Sequence, residues 1–275
     1  MLLVHGWGGS SRHWHMTMEG LADIRTIYAL DLPGHGQSPA ITEPTSAERM
    51  AELVIEFADE VGVERFDLNG HSFGAAVAIY IAARYPERVQ QVVLSCFGTY
   101  ANEIEHLLVN MIYYQTYLPM LASHYWLGML QPWQTMWQIW LNSLNATGTV
   151  PWTVARPFFY QMPDDMVMIQ EGYSEFMLMD PRTSIENTLS LGNPSLRAAM
   201  AQIQAPTLLI GGRQDMIVPP SHLERAAEII PTCHSELVDQ CGHVPMIEQP
   251  EAYQRILHTF LTTPPKTNAP KRPAA

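Results

Sequence analysis

The 275-residue chain is 47% hydrophobic and 15% charged, with a formal net charge of -12. That length fits one large domain with an insertion better than two independent units, and no apolar run approaches the roughly 18 residues of a membrane span. The negative field disfavours nucleic acid and anionic lipid as partners.

Short apolar runs predict strands at about Leu2 to His5, Thr26 to Asp31, Phe66 to Asn69, Val92 to Cys96, Thr207 to Gly211 and Ser235 to Val238. Between the second and third, Thr45-Ser46-Ala47-Glu48 resembles a capping box. Met50, Leu53, Val54, Phe57 and Val61 then recur with the spacing of a one-faced helix docked on a sheet. After Ser72, the small residues Gly74, Ala75 and Ala76 let a second helix start tight against its strand, and Pro86 follows its end. Strands alternating with helices indicate an α/β fold with a mostly parallel sheet.

That alternation stops between residues 98 and 194, a helical stretch holding nine of the 16 methionines and five of the seven tryptophans. The expected organisation is a core over 1–97, a helical cap or lid over 98–194, a second core segment over 195–261 and a disordered tail over 262–275. The tail contains both lysines, and its Pro, Thr and Ala content cannot bury enough apolar surface to order itself. Cys96, Cys233 and Cys241 form no disulfide framework and no leader precedes the first strand, so a cytoplasmic location is the default.

Gly70-His71-Ser72-Phe73-Gly74 satisfies G-x-S-x-G between a predicted strand and a predicted helix. A serine in such a strained turn needs glycine on either side, because neighbouring backbone comes close enough to clash with a Cβ. Its hydroxyl is a weak nucleophile unless a histidine accepts the proton and a carboxylate orients that histidine. The chain supplies both in the required order: Asp215 in GGRQD, then His243 in CGHVP, each in a loop just after a predicted strand. Two backbone amides are expected to receive a developing oxyanion, those of Phe73 and of Trp7 in His5-Gly6-Trp7-Gly8. Asp31 precedes the serine and reads as structural, while His35 and His71 read as packing and hydrogen-bonding residues. His13 and His15 form an H-x-H pair with no Cys, Asp or Glu beside it at ligand spacing, so no metal is expected, nor any cofactor.

Together, LLVHGWGG, DLPGHGQS, NGHSFGAA, YPERV, APTLLIGGRQD and CGHVPMIEQPE resemble the α/β-hydrolase superfamily, from Leu2 to about Leu261 and least across the cap. The resemblance implies a Ser72, Asp215, His243 triad with Trp7 and Phe73 as the oxyanion hole. A serine at the elbow argues against the haloalkane dehalogenase and epoxide hydrolase branches. HGWG followed by Trp14 is similar to carrier-protein methyl ester esterases. Lactonases, C–C bond hydrolases, thioesterases and cofactor-free perhydrolases share the rest of the pattern. Relatives carry an edge hairpin before the HG strand, whereas here that strand begins at Leu2, so either the hairpin is absent or the sequence starts within a longer protein, in which case a leader could lie upstream.

Trp133, Trp137 and Trp140 fall at i, i+4 and i+7 and share one helix face. They are either a small aromatic core within the cap or, together with Met246, contacts for an apolar substrate. Met162, Met166, Met168, Met177 and Met179 suit either an imperfect core or a permissive pocket. The expected activity is hydrolysis of a small or medium apolar carboxylic ester through an acyl-enzyme. The rival reading is a ligand receptor that retains the fold and the triad.

Overall fold

The computed structural model describes residues 1–100 and 146–263, together with 104, 105, 107, 111, 139 and 143. Six strands, β1 (Leu2–Val4), β2 (Tyr28–Leu30), β3 (Phe66–His71), β4 (Val89–Ser95), β5 (Thr207–Gly212) and β6 (Cys233–Val238), form one sheet in the order β2-β1-β3-β4-β5-β6. Every pairing is parallel. All six expected segments are strands. β4 starts three residues before the apolar run because Gln90 and Gln91 interrupt the hydrophobic signal, Gln91 having a partner of its own in the Phe260 carbonyl.

A parallel sheet must be covered on both faces, and alternate residues divide accordingly. Leu2, Val4, Leu68, Leu94 and Leu209 pack with α2 (Ala47–Glu60) and α3 (Phe73–Arg84). Leu3, Val93, Leu208 and Ile210 face the other way, toward Trp14, Leu21 of α1 (His15–Leu21), and Tyr253 and Leu257 near the end of the chain.

The inserted cap follows β4. Its described helices are α4 (Thr149–Ala155), α5 (Met166–Leu178) and α6 (Pro181–Ser190). Next, α7 (Pro194–Met200) packs on α3, where the Tyr80 hydroxyl and Ser195 Oγ are 2.7 Å apart. The sheet then resumes, followed by α8 (Pro220–Ile229), α9 (Pro245–Glu248) and α10 (Pro250–Thr262). Among the described residues no helix is long and apolar enough to cross a membrane.

The expected capping box is replaced by a contact with the cap. Ser46 caps α2 by accepting from the Arg49 amide at 3.0 Å, while the amide and hydroxyl of Thr45 both donate to Glu186 of α6, at 2.7 and 2.9 Å. Glu48 is instead drawn to Arg84 of the neighbouring helix. A tertiary carboxylate outcompetes the local one for the Thr45 amide. Trp133, Trp137, Trp140 and the tail beyond residue 263 lie outside the described residues.

Candidate active site

The carboxyl ends of the strands gather the chemistry-bearing residues. Ser72 follows the last residue of β3 and has φ 50°, the left-handed conformation of a sharp turn. Its flanking glycines are obligatory. A Cβ on Gly70 would lie 2.1 Å from the Gly74 carbonyl oxygen, and one on Gly74 would lie 2.2 Å from that of Val4. Phe73 then opens α3, so its amide is one of the unpartnered donors of the first turn. Val4 is registered against Gly70, and three residues beyond that pair come Trp7 and Phe73.

Asp215 and His243 stand in the loops after β5 and β6. His243 Nδ1 donates to Asp215 Oδ2 at 2.8 Å, and its Nε2 accepts from Ser72 Oγ at 3.0 Å. The second carboxylate oxygen, Oδ1, accepts from the amides of Ile217 and Val218 at 2.8 and 2.9 Å. Asp215 is therefore oriented on both sides, and Asp215 and His243 are both buried. Such a chain can take a proton from the serine hydroxyl and stabilise the imidazolium that results.

The backbone of His243 is held as firmly as its ring. Its amide donates to the Phe158 carbonyl at 2.7 Å, and its carbonyl accepts from His71 Nε2 at 2.8 Å. Gly242 is required because a Cβ there would sit 2.7 Å from the same Phe158 oxygen. Burial, reinforced by His243 nearby, holds the His71 pKa well below the usual histidine range, so His71 is a neutral donor. The sequence placed His71 in the elbow motif as a packing and hydrogen-bonding residue without naming its partner, and nothing in the sequence pointed to Phe158.

The other histidines hold the frame. His5 donates from Nδ1 to the Gly6 carbonyl at 2.8 Å and accepts at Nε2 from the Leu32 amide at 3.0 Å. Burial first, then His35, lowers its pKa to about 3. His35 donates from Nδ1 to the Pro33 carbonyl at 3.1 Å. Asp31 accepts from the amides of Ser11 and Gln37 at 2.7 and 2.9 Å. Burial alone would raise its pKa, but those amides hold it below the ordinary value.

His13 and His15 part company: His13 packs under Gly9, whereas His15 is exposed and sits 3.4 Å from Glu19. The one group of three metal-type donors among the described residues is His71, Cys96 and His243, with ligand atoms within 4.8 Å of one another. Both ring nitrogens of His243 already serve Ser72 and Asp215, so a cation there would compete with that hydrogen-bond chain. The Cys96 thiol lies beside Asp215, and burial first, then that carboxylate, pushes its pKa well above the usual range.

Ser72 and His243 open into a cavity of about 1480 Å³ roofed by cap residues including Phe158, Phe159, Met168 and Phe176. Met246 does not line it. Its side chain is fully buried against the lower face of the sheet, and Val244 and Ile247 face the cavity instead, because α9 turns Met246 inward. Of the five cap methionines singled out from the sequence, Met168 lines the cavity and Met179 is buried elsewhere.

An open parallel sheet with a glycine-flanked serine turn at its carboxyl edge and a helical cap above defines a hydrolase-type architecture. The chain belongs to the alpha/beta hydrolase fold family, whose model matches residues 1–250. It is 26% identical to the pimeloyl-[acyl-carrier protein] methyl ester esterase of Nitrosomonas europaea, with 92% of each chain covered. It is 27% identical to the dihydrolipoyllysine-residue acetyltransferase component of the acetoin cleaving system of Cupriavidus necator, over 95% of this chain but 63% of that protein's length. The enol-lactonase from Burkholderia xenovorans LB400 superposes with a TM-score of 0.74 at 20% identity, covering 95% of this chain and 90% of that one, which speaks for the fold alone.

Proposed function

We propose that this chain is a serine hydrolase that cleaves a carboxylic ester with an apolar acyl or alcohol part through an acyl-enzyme. The observation that carries the reading is the unbroken hydrogen-bond chain from Asp215 through His243 to Ser72 at the floor of a large, mostly apolar cavity. Ser72 Oγ attacks the ester carbonyl carbon as its proton passes to His243 Nε2. The carbonyl oxygen takes up the electron pair and is received by the amides of Trp7 and Phe73. Collapse expels the alcohol, which leaves with the proton from His243. Water, deprotonated by the same imidazole, then adds to the acyl-enzyme and releases the acid with Ser72 restored. The esterase named among the relatives supports ester chemistry.

An alkyl fluorophosphonate tests the reading directly. It should label the wild-type protein and fail to label Ser72→Ala. A folded wild-type protein that resists labelling would favour a ligand receptor. Turnover of matched aryl esters, thioesters and lactones then separates the acyl classes, and faster cleavage of lactones or thioesters than of esters would replace the ester assignment.

A further inference from the structure

The charged side chains that line the cavity are nearly all committed to partners within the protein. Arg12 is bound to Glu171 at 2.8 Å and to Glu175 at 3.3 Å. Glu175 also receives the Ser10 hydroxyl. Asp165 caps α5 by accepting from the amides of Val167 and Met168. His15 sits beside Glu19, and His71 and His243 are engaged as described. Burial lowers the His13 pKa to about 4, which leaves that ring neutral. Among the described residues, the one charged group of the cavity wall with neither an ion pair nor a hydrogen bond is Arg197 on α7.

This is not a shortage of partners, since the chain has 27 acidic residues against 15 basic ones. Among the described residues Arg65 is likewise unpaired and, like Arg197, exposed, but it precedes β3 at the amino ends of the strands and does not line the cavity. Arg197 stands on a fixed platform. Leu196, Ala199 and Met200 are buried along α7, Ser195 meets Tyr80, and Asn193 caps the helix. The wall beside it is apolar, with Leu191, Leu196 and Met200 lining the same cavity as Ser72. A guanidinium without a partner binds a carboxylate or phosphate through two parallel hydrogen bonds. An apolar stem on the ligand would cover the adjoining wall.

We infer that the cavity takes an ester whose reacting carbonyl meets Ser72 and whose far end carries an oxyanion, carboxylate or phosphate, received by Arg197. The inference rests on the hydrolase reading and adds polarity to its substrate: neutral and apolar beside the carbonyl, anionic at the remote end. Arg12 cannot take that role without giving up two ion pairs.

The experiment compares three series of p-nitrophenyl esters of graded chain length, ending in carboxylate, phosphate or methyl. At one chain length an anionic ester should exceed its methyl-ended counterpart by about tenfold in kcat/KM, mainly through KM. That ratio should fall toward one in Arg197→Gln, recover partly in Arg197→Lys, and shrink with added salt. Whichever anionic series gains more names the terminal group. Equal treatment of all three series by the wild-type protein, or a ratio unaltered in Arg197→Gln, would overturn the assignment. Labelling of Ser72 by fluorophosphonate in the same preparations shows whether the hydrolase reading stands independently. Calorimetric titration with non-hydrolysable ω-carboxy and ω-phosphoryl amides reads the Arg197 contact without turnover, and equal affinity of wild type and Arg197→Gln would also sink it.

Discussion

Ser10 Oγ donates a 2.7 Å hydrogen bond to Glu175 Oε2, joining the loop after β1 to cap helix α5. Around that bond the loop is gripped from several sides. Arg12 pairs with Glu171 and Glu175, and the Trp7 indole donates to the Ser184 carbonyl at 3.1 Å and meets Phe176 edge-on at 5.4 Å. From below, Asp31 takes the Ser11 amide. The segment that presents the Trp7 amide is thus set by core and cap together.

Glu175→Leu should therefore lower kcat by about tenfold on neutral and anionic esters alike, since a small misplacement of a positioned group is costly. Glu175→Gln, which still accepts from Ser10, should recover much of the loss. Steady-state kinetics on a methyl-ended and a carboxylate-ended ester would check this, and a change confined to KM would contradict it. The uniform loss distinguishes this residue from Arg197, whose effect follows the charge of the substrate.

His5 and His71 are buried and neutral, with pKa values pushed to about 3 and well below the ordinary value, respectively. An unfolded histidine takes up a proton near pH 6.5. Below that pH the unfolded state binds protons that the folded state refuses, so stability present above about pH 6.5 is lost on acidification. The slope approaches at most about 1.4 kcal/mol per pH unit for each residue. Urea midpoints measured from pH 7 to pH 4 should fall steadily, and a flat profile would remove these two histidines from the account.

Gly74→Ala should cost about 3 kcal/mol or more, because its Cβ would meet the carbonyl oxygens of Val4 and His5, which are backbone and cannot turn aside. Chemical denaturation gives the magnitude, and labelling of Ser72 in the surviving folded fraction should be lost as the elbow shifts. Gly62→Ala is the control. Its φ is 69° but a Cβ there would meet nothing, so strain without collision should cost only about 1 kcal/mol.

Asp215→Asn should keep the fold and reduce kcat by roughly 10⁴, through loss of the imidazole's orientation and of the charge that stabilises it. Ser72→Ala should lose about as much activity as Ser72→Ala combined with Asp215→Asn, since the members of such a chain act as a unit. Additive losses in the double variant would mean that the two side chains work separately.

Much of this site was readable in one dimension because its parts carry local constraints. A serine turn that collides with any neighbouring Cβ demands glycine at 70 and 74, and an acid and a base that lean over a sheet edge must follow strands, as Asp215 and His243 do. Parallel strands buried on both faces leave near-continuous apolar runs, so the sheet announced itself except where Gln90 and Gln91 opened β4. The capping of α2 was misassigned by one residue, because a glutamate 141 positions away competes for the Thr45 amide and local spacing has no access to it.

By itself the sequence determined the fold, the order of serine, acid and histidine, and the glycines that permit the turn, since each depends on neighbours along the chain. Only the tertiary structure decided which partners are already taken. It turned Met246 into the core and put Val244 and Ile247 on the cavity wall. It made His71 and Phe158 the supports of His243. It paired Arg12 with two glutamates while leaving Arg197 without a counter-ion among the described residues. Whether a charge is free or satisfied depends on distances across the fold, and residues 165 positions apart, such as Ser10 and Glu175, share no local pattern from which those distances could be read.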